Sequence, residues 1–189
     1  MQMPVLDIGD CILRNIQKKD YIDLFEYARD EQVTKYVSWE PIKEIWEAKK
    51  IISDYYLIRP RKNMPVGYAI VYKTNNKMIG VIDFTALDGN LCGEIGYVLN
   101  RKYWNKGITT RALRKMVEVG FDILHLNRIE IRHVDENIAS EHVIKNADFK
   151  YEGTLRKKYL DKKSHLFKDI KTYSILRTEY LKGELKWQL

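Results

Sequence analysis

Apolar residues recur along the chain in two rhythms, and these rhythms predict the elements. After Gly107, the positions Ala112, Leu113, Met116, Val117, Gly120, Phe121 and Leu124 return at steps of three and four, which marks one buried helix face. Arg111, Arg114, Lys115, Glu118 and Asp122 fall on the other face, open to water or a charged ligand. Residues 128–134, Arg-Ile-Glu-Ile-Arg-His-Val, alternate instead and predict a strand. Apolar runs at 11–16, 66–72, 78–87 and 91–99 read as further strands, and 149–159 with 167–177 as a closing hairpin. The paired asparagines of Lys73-Thr-Asn-Asn-Lys77 suit a hairpin turn, and Asp88-Gly89-Asn90 turns the chain once more. Asp20 is placed to cap a helix with Tyr21, Leu24, Phe25 and Ala28 on its inner face. A second helix is expected over 42–56, with Ile45, Trp46, Ala48, Ile52 and Tyr55 or Tyr56 turned inward, and a short one over 138–146. The order is βααβββαβαββ, an α/β (α+β) class. The strand at 128–134 follows a strand, a loop and a helix, so the crossover rule sets it parallel to the strand ending near Leu99.

The stretch from Glu94 to Leu124 brings chemistry to this pattern. A short apolar run, Ile95 to Leu99, enters a basic loop with a single glycine, Gly107, and leaves it as the amphipathic helix. Unpaired amides and the positive end of the helix dipole converge in such a first turn, so a phosphate can be held there largely by backbone. Gly107 removes a Cβ from the approach, Thr109 and Thr110 can satisfy amides of the first turn, and Arg101, Lys102 and Lys106 add mobile positive charge. An ordinary strand-to-helix turn beside a solvated basic patch has the same local pattern.

Composition narrows the classes. The chain of 189 residues suits a single domain, 1–189, with a core that needs no staples. No apolar stretch approaches a membrane span and no signal-like leader opens the sequence, so a cytoplasmic protein without a membrane partner is expected. The two cysteines, Cys11 and Cys92, form no framework or metal spacing, and His125, His133, His142 and His165 form no ligand motif, so no metal is expected. The net charge of +7 fits either a polyanionic partner or a small anionic ligand. The basic residues are spread out, and without aromatic–basic platforms direct nucleic-acid binding is not expected.

Read together, Leu13-Arg14, Asp20, Ile79-Gly80, Glu94-Ile-Gly-Tyr97, Tyr103-Trp-Asn-Lys-Gly107, Leu126-Asn-Arg-Ile-Glu130, Asn137-Ile-Ala-Ser140, Phe149, Glu152-Gly153 and Leu155-Arg156 resemble the GNAT superfamily of acetyl-CoA-dependent N-acetyltransferases. The branch most like this chain is that of the ribosomal-protein alanine acetyltransferases. The resemblance implies a GNAT-like fold with a mixed central sheet of about seven strands and a single acetyltransferase domain. It gives the coenzyme A pyrophosphate to the amides of Asn105, Lys106, Gly107, Ile108 and Thr109, and the pantetheine arm to Val98, Asn137 and Ser140. It makes Glu94 a candidate base, and a proton for the departing thiolate comes from Ser140 or Tyr159. Glu94 can equally orient a neighbour or pair with a basic residue, and Asn137 can serve simply as a helix cap.

The sequence also departs from the family. The usual general-acid tyrosine position holds Ile144, the signature loop begins with Trp104, Tyr159 stands where some ribosomal enzymes use a glutamate, and Asn146-Ala147-Asp148-Phe149 lacks the usual glycine. Cys92, two residues before Glu94, offers a covalent acetyl-cysteine route, although no histidine base is identifiable beside it. The function implied is acetyl transfer from acetyl-CoA to a primary amine, a protein N-terminus or a small molecule, by a monomer or homodimer. The alternatives are a non-catalytic acyl-CoA-binding or regulatory module and a basic ribosome- or RNA-associated protein.

Overall fold

The computed structural model describes residues 3–188. Among them, eight strands form one sheet: β1 (Leu6–Asp7), β2 (Cys11–Asn15), β3 (Tyr68–Tyr72), β4 (Lys77–Asp88), β5 (Cys92–Leu99), β6 (Arg128–Val134), β7 (Lys150–Leu160) and β8 (Phe167–Leu176). The helices are α1 (Tyr21–Ala28), α2 (Ile45–Lys50), α3 (Ile108–Glu118), α4 (Ile138–Asn146) and α5 (Arg177–Leu181). The sheet order is β1-β2-β3-β4-β5-β6-β8-β7. β5 and β6 run parallel as expected, with Glu94 opposite Glu130, while β6–β8 and β7–β8 are antiparallel. The mixed class holds, with eight strands where about seven were expected. The additional pieces are β1, which pairs with β2, and α5, which follows β8 directly. No helix of the described residues is long and apolar enough to cross a membrane.

The chain divides into two compact units, Met1–Phe84 with Tyr97–Ala112, and Thr85–Gly96 with Leu113–Leu189. In the first unit, Leu24, Tyr27 and Ala28 of α1, Ala48 of α2 and Val71, Met78 and Val81 of the sheet share one apolar cluster. α2 departs from expectation because Ile45, Trp46 and Tyr55 are exposed, while Ala48, Ile52 and Tyr56 are buried. Ile45 is the first helical residue and Trp46 lies about 160° around the helix from Ala48, so both face away from the cluster, and the chain then passes into a π turn at Ile51–Tyr56. Asp20 precedes α1, but its carboxylate accepts from the amide of Gln17 at 2.7 Å and takes both Nη atoms of Arg14 at 2.7 and 2.8 Å. It therefore caps the preceding 3-10 turn and not α1. Deeper in this unit, the buried Arg59 guanidinium pairs with Asp83 and with the Phe84 carbonyl, beneath the ring of Tyr55 at 5.2 Å.

In the second unit the buried side chains include Met116, Val117, Phe121, Ile129, Ile131 and Ile144. α3 meets α4 where Arg114 Nη2 donates to the Asn146 carbonyl at 2.6 Å. The π turn Val119–Ile123 continues α3, and Phe121 there packs on Tyr180 of α5 with ring centroids 5.1 Å apart.

Candidate active site

The anion loop of the first unit is built on a close approach of two strands. A Cβ on Gly80 of β4 would lie 2.4 Å from the Val98 carbonyl oxygen of β5, so only glycine lets the strands meet there. The amide of Asn100 then bonds the Ile79 carbonyl at 2.7 Å, and its side chain accepts from Lys102 N at 3.0 Å. The indole N–H of Trp104 donates back to the Leu99 carbonyl at 2.8 Å, which closes the loop over the end of β5. Asn105 and Gly107 are left-handed, at φ 59 and 67. These two reversals turn the chain into α3, whose first amide bond runs from Arg111 N to the Gly107 carbonyl at 3.1 Å. Asn105, Lys106 and Gly107 are exposed, whereas Ile108 and Thr109 are buried. Val98 is half-buried and packs against the apolar cluster of this unit.

The loop's cations do not behave as the sequence suggests. Arg111 does not wait for a ligand on an open helix face. Its Nε donates to the Ile8 carbonyl at 2.8 Å, Nη1 to the Lys106 carbonyl at 3.1 Å, and Nη2 pairs with Asp10. It braces the loop from behind, a role its i+4 spacing from Gly107 permits and periodicity alone does not reveal. Arg101 pairs with Asp30 at 3.0 Å and Lys102 with Glu26 at 3.2 Å. Lys106 lies 5.3 Å from the Tyr103 ring centroid.

The second unit carries Glu94, Asn137, Ser140 and Tyr159. Glu94 lies on β5 beside β6, where Arg132 closes on it as a fork: Nε donates to Oε1 at 3.1 Å and Nη2 to Oε2. Arg132 is the residue the sequence reading missed, and its place diagonally across parallel strands gave no local signal. Glu94 therefore does pair with a basic residue, while each oxygen keeps a further lone pair for a proton. Asn137 follows β6, bonds its amide to the Val134 carbonyl at 2.8 Å and accepts from Ser140 N at 3.1 Å, so it caps α4. Ile144 is buried in that helix. Tyr159 pairs with Lys168 across the hairpin, and burial, then Asp161, raises its phenol above the ordinary range, so it is protonated at neutral pH. Burial first and Glu130 second also raise the Cys92 thiol, which disfavours the thiolate a covalent route needs. Glu94, Ser140 and Tyr159 are thus each held by a different neighbour. No group of three or more His, Cys, Asp or Glu that could hold a metal ion occurs among the described residues.

Residues 10–150 match the model of the acetyltransferase (GNAT) domain family. The protein named Uncharacterized N-acetyltransferase p20 of Bacillus licheniformis is 33% identical over 172 residues, which span 89% of this chain and 93% of that protein. The Bacillus subtilis protein named Uncharacterized N-acetyltransferase YoaA is 29% identical over 92% of this chain and 97% of its own length. Among solved structures, a GNAT-family acetyltransferase from Bacillus anthracis superposes with a TM-score of 0.81 at 24% identity, covering 93% of this chain and all of that one. The RimL ribosomal L7/L12 alpha-N-protein acetyltransferase in complex with coenzyme A gives 0.80 at 20% identity, over 92% and 98%. On the family match and the relative in Bacillus licheniformis, both running through the strand–loop–helix unit just described, the chain belongs to the GNAT acetyltransferase family and is an acyltransferase of that family.

Proposed function

We propose that the protein moves the acetyl group of acetyl-CoA to a primary amine, a protein N-terminus or a small molecule, by direct attack in a ternary complex. The observation that carries this reading is the exposed turn before α3. Two left-handed residues, Asn105 and Gly107, precede an eleven-residue helix whose first amides have no partner within the helix. In this reading the amides of Asn105, Lys106, Gly107, Ile108 and Thr109 hold the pyrophosphate. Ile108 and Thr109 act through backbone alone, because their side chains are buried. The family resemblance assigns Val98, and separately Asn137 and Ser140, to the pantetheine arm.

The acceptor arrives mostly as an ammonium, since α-amines titrate near 8 and lysine near 10. Glu94 takes its proton, directly or through a water, with the carboxylate plane fixed by Arg132. The freed nitrogen bonds the acetyl carbonyl carbon and gives up its second proton to water as the carbon–sulfur bond breaks. The sulfur leaves with the electron pair and takes a proton from Ser140 or Tyr159. A protonated Tyr159 fits that last step.

The test is thiol release from acetyl-CoA against a panel of peptides, polyamines, amino sugars and aminoglycosides. At least one amine class should accelerate release. If acetyl-CoA binds and none does, the chain is a binding module; if it does not bind, the assignment of the loop fails as well.

A further inference from the structure

The closing hairpin of the second unit, which also carries Tyr159, has a bulge to which the acetyl-transfer reading assigns no role. β7 is the last strand of the sheet and pairs only with β8. Of its eleven residues only Gly153 and Tyr159 are half-buried, and the rest are exposed. Leu155 pairs with Ile170 and Tyr159 with Lys168, so Arg156, Lys157 and Lys158 bulge out opposite Asp169 alone. Lys157 sits at φ 53, and its amide donates to Asp169 Oδ1 at 2.9 Å, which pins the bulge. The result is an open cleft lined by Thr154, Leu155, Arg156, Lys157, Lys158 and Asp169.

Charge selects the occupant. Residues 154–169 hold six basic and two acidic side chains, so this hairpin supplies four of the chain's seven net positive charges. Among the described residues, Arg156 and Lys158 have no carboxylate partner, while Leu155 beside them is 43% exposed. A second copy paired about the bulge would set Arg156 and Lys158 against themselves, because a two-fold interface brings the same patch together. Bulges and lysines are the usual defence of an edge against like strands. The lysines do not repel a strand of opposite charge. A single-stranded RNA would look for aromatic platforms, yet no aromatic side chain lines the cleft.

We propose that the β7 edge and its bulge form a docking surface for an extended acidic segment of another protein. The segment adds alongside β7, with carboxylates on Arg156 and Lys158 and an apolar side chain on Leu155. This inference stands apart from the acetyl-transfer reading, and the partner need not be the acceptor.

The probes are three fluorescein-labelled ligands: an eight-residue peptide alternating glutamate and valine, its lysine–valine counterpart, and a single-stranded oligoribonucleotide of equal negative charge. Fluorescence anisotropy should show binding of the glutamate peptide that weakens with added salt, and hydrogen exchange should slow on bound β7. Arg156→Glu with Lys158→Glu should weaken binding roughly tenfold, since two exposed attractions become repulsions. Both positions are exposed, and the milder Arg156→Gln with Lys158→Gln should give an intermediate loss. Equal binding of the lysine peptide, protection away from β7, or binding unchanged in both variants would overturn the proposal. Tighter RNA binding lost in the same variants, or self-association of the chain through β7, would overturn it equally.

Discussion

Glu94 and Arg132 show how one side chain constrains another. The fork from Arg132 fixes the Glu94 carboxylate without using every lone pair, so Glu94→Gln keeps the size and part of the hydrogen bonding while removing the proton acceptor. In steady-state kinetics with a good acceptor, kcat for this variant should fall by about 10²-fold or more, with acetyl-CoA affinity unchanged. A variant with full kcat would remove Glu94 as the base. His133 offers a second test, read in stability. Its ring is buried, stacks on Tyr173 at 5.5 Å and donates from Nδ1 to the Val134 carbonyl at 2.8 Å. Burial lowers its pKa from the ordinary 6.5. Below that value the unfolded chain binds a proton that the folded chain resists. His133 therefore contributes stability that is full above about 6.5 and is lost as pH falls toward the lowered folded value. The melting temperature should drop between pH 7.5 and 5.5, and His133→Leu should flatten this slope. The other three histidines are exposed.

At the level of elements, the approach of β4 to β5 invites a direct test. In Gly80→Ala the new methyl would meet a backbone carbonyl at 2.4 Å, which cannot rotate away as a side-chain tip can. Thermal or urea unfolding should show a loss of about 1–3 kcal/mol, and an unchanged midpoint would mean that the strands part freely. Elements were legible in the sequence where a local rhythm decides them. β6 and α4 lie where alternation and helical spacing put them, because each buries one regular face. In α2, Trp46 lies about 160° around the helix from the buried Ala48, and Ile45 is the first helical residue, so neither position turns inward although both are apolar. β1 is two residues long and exists through its pairing with β2, and α5 starts where Glu179 Oε2 accepts from Leu176 N at 2.9 Å; neither leaves a run to read. In the candidate site, the loop and Gly107 were visible as a motif. The bracing by Arg111 was not, since Ile8 and Asp10 lie a hundred residues away along the chain.

For the whole molecule, binding at the loop should appear as stability. A ligand that binds only the folded chain adds about 2.7 kcal/mol at a hundred times its Kd. Acetyl-CoA and coenzyme A at such concentrations should therefore raise the melting temperature in a concentration-dependent way, whether or not an acceptor has been found. A melting curve indifferent to both would remove the donor assignment. The same loop offers a readout that needs neither turnover nor heat. Trp104 is one of four tryptophans, partly exposed, and its indole N–H is tied to the Leu99 carbonyl that begins the turn. A ligand settling on Asn105 to Gly107 would change the polarity around that ring while leaving its hydrogen bond in place. The turn thus contains its own fluorophore. Titrating coenzyme A should shift or quench tryptophan emission in the native chain, and Trp104→Phe should abolish the change, giving the occupancy of the loop in solution as an optical signal.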